Sequence, residues 1–238
     1  MKQGLKRIEL LDILRGLALL LMICHHGLYD LVVFYGYNIP FLESTVFYIL
    51  QFIFSGLFIF IAGCTSNFSR SNIKRGVYCL IAAFLITAIS FIVVPDSPVY
   101  FGILHLLGTC MLLYGLLEKC FLKIHPKYGF IFWILLFALG YYIYRNAAYV
   151  NNPYLFILGF ITKGFSSSDY YPLMPYMFLF LSGTSAGRIM AKGEMPGWFY
   201  SFKPIPIISF LGKHSIWVYL LHQPILMAAF LVFLGLPF

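Results

Sequence analysis

Charged side chains are scarce in this sequence of 238 residues, because Asp, Glu, Lys and Arg together make up only 10% of it. Soluble globular domains are about 25% charged and about half apolar, whereas 61% of this chain is hydrophobic and its mean hydropathy is +0.89. So few ionic groups cannot cover a water-exposed surface. The composition excludes a soluble domain, a disordered chain and a disulfide-rich secreted scaffold, and it predicts a polytopic membrane protein.

Metal-ligand and redox motifs are missing as well. The five cysteines fall mostly inside apolar runs, without a CxxC pair or a cysteine–histidine metal spacing, so we interpret them as small buried apolar residues. Acidic residues are few, with 8 against 16 Lys and Arg. The cations lie in short loops between apolar runs and form no patch, which fits the positive-inside rule and argues against nucleic-acid binding.

Seven apolar runs are long enough for membrane helices, since a bilayer core of about 30 Å takes about 20 helical residues. They cover residues 8–34, 46–64, 77–94, 101–117, 130–144, 173–190 and 207–234. Cation-rich and cation-poor loops alternate, which places the N-terminus, with Lys2, Lys6 and Arg7, in the cytoplasm. We predict an all-α integral membrane protein of the cell membrane, a bundle of about seven transmembrane helices in one domain, 1–238.

The segment 154–161 is the exception in this pattern, because eight residues are too few to cross a bilayer. We predict that it is a short re-entrant or interfacial segment on the outer side. Eight spans are the alternative to seven.

Ionisable side chains are costly inside a bilayer and therefore indicate function. The first apolar run carries five of them: Asp12, Arg15, His25, His26 and Asp30. At about 100° per residue, all but His25 fall within an arc of about 60°, so this polar stripe must face a protein interior or a polar cavity. The alternative is structural, with side chains that only join helices and an ion pair between Asp12 and Arg15, three residues apart.

Two more histidines are predicted at a similar depth. His105 lies in the fourth run, and His222 lies in the last run, where Pro224 predicts a kink. Three histidines from three helices could form a site, or each could be a packed core residue. Three histidine ligands and a water suit catalytic zinc, but no HExxH spacing supports this, and we predict no metal.

Two further polar groups lie near the predicted membrane surfaces. Asp169, Tyr170 and Tyr171 precede the sixth run, where an acid beside aromatic rings could bind a sugar or amine, or form an interfacial aromatic belt. Cations on the predicted cytoplasmic side could hold a phosphorylated cofactor, although the positive-inside rule explains most of them without a ligand. They are Arg15, Arg70, Lys74, Arg75 and Lys213.

Five sequence blocks resemble a known enzyme family. They are LDILRGLALLLMICHHGLYDL, FIFIAGCTSNFSRSNIKRG, FGILHLLG, DYYPLMPY and FLGKHSIWVYLLHQPIL, in family order and over most of the chain. In the first block Arg15 and His26 are separated by ten residues, which resembles the signature of the transmembrane acyltransferase superfamily. The chain is similar to the bacterial branch related to heparan-α-glucosaminide N-acetyltransferase.

The resemblance implies that an acyl group, here acetyl, passes from cytoplasmic acetyl-CoA to an amine or hydroxyl of an extracytoplasmic amino sugar or glycan. By position, His26 matches the superfamily histidine, Arg15 its arginine, and His222 a histidine of the last helix. The resemblance also implies a catalytic histidine beyond the first helix, but this chain has none between Asp30 and Leu104. The mechanism of the heparan enzyme therefore does not carry over.

Acyl transfer needs a base for the proton of the acceptor, and histidine is suited to this role near neutral pH. We expect His26 to be the base, Asp30 to orient its ring, and His222 or His105 to contact the oxyanion or the acceptor. Alternatively, an imidazole is itself acylated. The expected acetyl-CoA ligands are Arg15, Arg70, Lys74 and Lys213, and the expected acceptor ligands are Asp169, Tyr170 and Tyr171.

Two other function classes fit the polar stripe. A proton-coupled transporter or channel would use its histidines and Asp30 as a relay, whereas an assembly protein would use them only to join helices. The expected partners are acyl-CoA, the acceptor and the lipid bilayer, with a homodimer as the alternative to a monomer.

Overall fold

Helices make up nearly all of the regular structure. The computed structural model describes residues 7–236, and in this range the chain forms ten α-helices and two short 3₁₀ segments, Pro40–Glu43 and Pro153–Leu158. The α-helices are α1 (Glu9–Tyr35), α2 (Thr45–Ser66), α3 (Asn72–Val93), α4 (Ile103–Leu116), α5 (Glu118–Leu122), α6 (Pro126–Asn146), α7 (Leu173–Ala191), α8 (Gly197–Tyr200), α9 (Pro206–Lys213) and α10 (Ser215–Leu234). Lys2 and Lys6, which the orientation prediction uses, lie outside the described residues.

Five of the described helices, α1, α2, α3, α6 and α10, are long and apolar enough to cross a membrane. α4 is apolar but has only 14 residues, and α7 has 19. The chain is therefore an all-α, multi-pass membrane protein. Length and composition support five spans, so the count of about seven remains a prediction.

The last apolar run forms two helices where the sequence predicts one. α9 ends at Lys213 and α10 begins at Ser215, with His214 between them at φ −107° and ψ 29°. α10 continues through Pro224, and the kink expected there remains a prediction. α9 is held against α1 by close backbone contact, because a Cβ on Gly212 would lie only 1.9 Å from the carbonyl oxygen of Asp12.

The segment predicted to be too short to cross a membrane forms the 3₁₀ turn Pro153–Leu158. Asn152 begins this turn, and its side chain accepts a hydrogen bond from the backbone N–H of Tyr154 at 3.0 Å. Gly159 ends it at φ 103°, a conformation that suits glycine. Its re-entrant or interfacial position remains a prediction.

The chain divides into two compact units, with a boundary inside α2. The first unit is Ile59–Met195, and the second combines Arg7–Phe58 with the chain from Pro196 onward. The expectation of one domain remains a prediction.

Small residues bring α2 and α7 together inside the first unit. A Cβ on Gly63 would lie 2.1 Å from the carbonyl oxygen of Phe180, and one on Gly183 would lie 2.1 Å from that of Phe60. Gly183 and Gly187 have the GxxxG spacing that lets membrane helices approach closely, a motif that the sequence analysis missed. Here it serves packing within the chain.

In the second unit, α1 packs against α9 and α10. At Gly16 a Cβ would lie 1.9 Å from the carbonyl oxygen of Ile208, so α1 and α9 meet backbone to backbone. Near the other end of α1, the Tyr35 hydroxyl donates to the carbonyl oxygen of Gly235 at 3.0 Å, just after α10 ends. These contacts place the polar stripe of α1 beside α10.

Candidate active site

Two histidines of the second unit lie ring against ring between α1 and α10. The ring centroids of His26 and His222 are 5.0 Å apart, with an angle of 54° between the ring planes. His25, the preceding residue and outside the stripe, has its ring centroid 5.2 Å from that of His26 and 5.0 Å from that of Phe47. The structure thus brings together two of the three histidines that the sequence analysis placed at one depth.

His222 is the more firmly held of the pair. Its Nδ1 lies within hydrogen-bond distance of the Tyr219 carbonyl oxygen, one turn earlier in α10. The other ring nitrogen, Nε2, is buried and has no hydrogen-bond partner among the described residues. The ring is thus anchored at one nitrogen and unpaired at the other.

Asp30 does not take the place that the sequence analysis gave it. It was expected to orient His26, but its two carboxylate oxygens accept hydrogen bonds from Nε2 of Gln223 at 2.9 and 2.8 Å. Asp30 is only 2% exposed. Because the Gln223 amide offers two N–H groups and a neutral imidazole only one, the glutamine can satisfy both oxygens of this buried carboxylate.

The N-terminal end of the stripe contains an ion-pair cluster. Asp12 lies 3.7 Å from Arg15 and accepts hydrogen bonds from Nε and Nη2 of Arg7, the second at 3.0 Å. The hydrogen bond to this carboxylate holds the pKa of the Arg7 guanidinium above its ordinary value. The sequence analysis gave this ion pair of Asp12 with Arg15 as the structural alternative to a functional role.

Two expected ligands of acetyl-CoA join α1 to the end of α9. Arg15 donates to the carbonyl oxygen of Gly212 at 3.4 Å, and Lys213 forms an ion pair with Glu9 at 3.1 Å. Both cations therefore already have partners in their own unit. Their role in binding a cofactor remains a prediction.

The other two expected ligands of acetyl-CoA belong to the first unit. Arg70 and Lys74 are exposed at the start of α3. Ser71 caps this helix, since its hydroxyl oxygen accepts from the backbone N–H of Lys74 at 3.2 Å. Because both side chains are exposed, a ligand in water can reach Arg70 and Lys74.

His105, also in the first unit, has both ring nitrogens engaged. Nδ1 accepts from the backbone N–H of Gly102 at 3.3 Å, so Nε2 carries the proton of the neutral ring and donates to the Thr87 hydroxyl oxygen at 3.3 Å. Thr87 donates onward to the carbonyl oxygen of Val99 at 2.7 Å. These contacts are those of a histidine that joins α3, α4 and the loop between them.

Asp169 binds the start of α4. Its Oδ2 accepts from the backbone N–H of Ile103 at 3.0 Å, where the helix leaves N–H groups without internal partners and a negative charge is favourable. The next residues are held alongside, because the backbone N–H of Tyr171 donates to the carbonyl oxygen of Phe101 at 2.9 Å. The expected acceptor ligand is thus also a helix cap.

Tyr170 is packed in an aromatic cluster. Its hydroxyl donates to the carbonyl oxygen of Phe156 at 2.6 Å, and its ring lies 5.0 Å from that of Phe165. Burial raises the pKa of the Tyr170 hydroxyl. Tyr171 lies against Tyr176, with a centroid distance of 5.3 Å. Both tyrosines hold the loop before α7 in place.

Within residues 7–236, no group of three or more His, Cys, Asp or Glu side chains is arranged to hold a metal ion. The α1–α10 cluster combines two neighbouring imidazole rings with a carboxylate held by an amide.

A comparison with known families matches residues 7–224 to the family described as "Heparan-alpha-glucosaminide N-acetyltransferase, catalytic". The chain belongs to this family. A search of curated proteins and a search of solved structures found no match. The heparan-α-glucosaminide N-acetyltransferase match spans the entire α1–α10 cluster, from His26 to Gln223, and it indicates a membrane acetyltransferase.

Gln223 is the residue of this heparan-α-glucosaminide N-acetyltransferase family member that the sequence analysis missed. It directly follows His222 in the block YLLHQP, and it is a polar residue inside an apolar run. Polar side chains inside a predicted membrane span indicate function. The rule that selected Asp30 would therefore also have selected the amide of Gln223.

Proposed function

We propose that the chain is an acetyltransferase that takes the acetyl group of acetyl-CoA and transfers it to an amine or hydroxyl of an extracytoplasmic amino sugar or glycan. The observation that supports this is the contact of His26 with His222, inside the region that the acetyltransferase family matches. One of these two imidazoles is the base.

The proposed reaction has two bond changes. The nitrogen or oxygen of the acceptor forms a bond to the thioester carbonyl carbon, and the C–S bond of acetyl-CoA breaks. The histidine takes the proton of the acceptor and passes it to the leaving thiolate, which departs as CoA thiol. A positioned base contributes about 10²–10⁴-fold to such a reaction.

The binding roles are proposals as well. The phosphates of acetyl-CoA are bound by four cations, Arg15, Arg70, Lys74 and Lys213. The exposure of Arg70 and Lys74 supports this role best. Asp169, Tyr170 and Tyr171 bind the acceptor. To bind the acceptor, the Asp169 carboxylate either leaves the backbone N–H of Ile103 at the start of α4 or contacts both groups at once.

The proposed topology has seven spans in the cell membrane, formed by the five long apolar helices together with α4 and α7, and a cytoplasmic N-terminus. At a rise of about 1.5 Å per residue, His26 lies about 16 Å along α1 from Arg15. A ligand of Arg15 on the cytoplasmic side would therefore need a long arm to reach His26, and the pantetheine of CoA supplies one.

Thermal unfolding of the detergent-purified protein during an acetyl-CoA titration tests the donor. Desulfo-CoA serves as an unreactive analogue and ATP as a control for general phosphate binding. A ligand that binds only the folded protein adds about 2.7 kcal/mol at a hundredfold excess over its dissociation constant. We expect stabilisation by both CoA compounds and none by ATP.

Thiol release from acetyl-CoA in the presence of glucosamine tests the reaction. The matched control is His125→Gln, since His125 is exposed on the loop before α6, and this variant should release thiol as the unmodified protein does. If acetyl-CoA neither stabilises the protein nor loses its acetyl group with any amine or hydroxyl acceptor, the proposal is wrong. Proton flux in proteoliposomes without acetyl-CoA would then favour the transporter.

A further inference from the structure

The carbonyl group of Tyr219 determines which nitrogen of His222 carries the proton. A carbonyl oxygen can only accept a hydrogen bond, so the Nδ1 atom that lies against it is the donor. In a neutral imidazole the other nitrogen then has a lone pair. That atom, Nε2, is the buried one without a partner among the described residues.

His26 lacks such an anchor. Its ring touches the rings of His25 and His222, but it forms no hydrogen bond with any described residue. Asp30, one turn later in α1, has Gln223 as its hydrogen-bond partner. The ring contacts of His26 do not select one of its two tautomers.

We infer that Nε2 of His222 is the base of the proposed acetyl transfer, and that His26 positions the ring of His222 through the contact between the two rings. This inference rests on the proposed function, and it assigns the base to His222, whereas the sequence analysis expected His26 in that role. A base must present its lone pair with the ring held in one orientation, and a hydrogen bond at the opposite nitrogen does this in known triads.

In the reaction, Nε2 of His222 accepts the proton of the attacking amine or hydroxyl as the new bond to the acetyl carbon forms. The ring is then an imidazolium whose Nδ1–H still donates to Tyr219. The proton next moves from Nε2 to the sulfur of the departing CoA, so the histidine returns to its starting tautomer. No oxidant, metal or further reactant is needed.

Nitrogen NMR of the histidine rings in the unmodified protein tests the tautomer. The chain has six histidines, so ¹⁵N-labelled histidine gives few signals, and the signal of His222 is identified by its loss in His222→Gln. We expect a protonated Nδ1 and an unprotonated Nε2. A protonated Nε2 at neutral pH would overturn the inference, whatever the activity of the protein.

Aromatic replacement tests the roles. His26→Phe keeps a ring against His222 but removes both nitrogens, and we expect its loss of kcat for thiol release to be at least about tenfold smaller than the loss in the His222 variants. His222→Phe and His222→Gln should each lower kcat by about 10²–10⁴-fold, with KM for acetyl-CoA nearly unchanged. Thermal unfolding of each variant identifies loss of activity through misfolding.

The results separate the two proposals. Loss of activity in His26→Phe with normal folding, alongside an active His222→Gln, would assign the base to His26 and overturn this inference while the proposed function stands. If the unmodified protein transfers no acetyl group at all, the proposed function is wrong, and the role of His222 as its base is wrong with it.

Discussion

Gln223 on α10 donates from one amide nitrogen to both carboxylate oxygens of Asp30 on α1, at 2.9 and 2.8 Å. Asp30 is almost fully buried, and a buried carboxylate is stable only when its oxygens are hydrogen-bonded. This pair joins the two helices that carry His26 and His222, so the positions of the histidines depend on it.

We expect Asp30→Leu to lower the free energy of unfolding by about 1–3 kcal/mol, because it leaves the half-buried amide of Gln223 without its partner. Gln223→Leu should be at least as harmful, since it leaves a buried carboxylate without a donor. The free energy of unfolding of the double variant should fall by less than the sum of the two single losses, because neither polar group remains. Chemical or thermal unfolding in detergent measures the cycle, and strictly additive losses would contradict the pairing.

Substitution of Asp169 separates its two roles. Asp169→Ala removes the acceptor that caps α4 and should destabilise the protein by about 0.5–2 kcal/mol, whereas Asp169→Asn keeps an oxygen for the backbone N–H of Ile103. The Asn variant should therefore unfold nearly as the unmodified protein does. If it also keeps full acetyl transfer, the charge of Asp169 has no part in binding the acceptor.

Arg188 stabilises the loop that leads into α6. Its guanidinium donates to the carbonyl oxygens of Phe121, Leu122 and Ile124 at 3.3, 3.1 and 2.7 Å. Lysine lacks this planar fork, so we expect Arg188→Lys to lower the free energy of unfolding by about 1–3 kcal/mol.

The matched control for Arg188 is Lys192→Ala. Lys192 is one turn later in the chain, and it forms an ion pair with Glu194 at 3.8 Å in which both side chains are well exposed to solvent. Such pairs contribute about 0–1 kcal/mol. Equal losses in the two variants would show that the carbonyl contacts of Arg188 contribute nothing special.

Because α7 and α2 are in close backbone contact, one methyl group added between them should strongly destabilise the protein. Gly183→Ala would place a Cβ 2.1 Å from the carbonyl oxygen of Phe60, and since backbone atoms cannot move aside easily, we expect a loss of about 1–3 kcal/mol or more. Gly27→Ala in α1 is the control, because its nearest neighbour is a Leu226 side-chain carbon at 3.6 Å. Thermal unfolding compares the two, and similar midpoints would mean that the helices are not so close.

The class of the protein follows from its sequence alone. Long apolar runs with few charges leave the helix as the structure that satisfies every backbone polar group in lipid, and five sequence blocks in order indicate the family that the comparison confirms. The helical period also places His26 and Asp30 on one side of α1. None of these inferences needs knowledge of a neighbouring helix.

The partners of those residues were decided by the tertiary structure. A helical period fixes the face on which a side chain lies, but not the rotation of the helix that packs against that face. Proximity along α1 favoured a contact of Asp30 with His26, yet packing of α10 brought the two N–H groups of the Gln223 amide to the carboxylate. The same packing placed His222 against His26, a contact between two helices that no spacing in the sequence reveals.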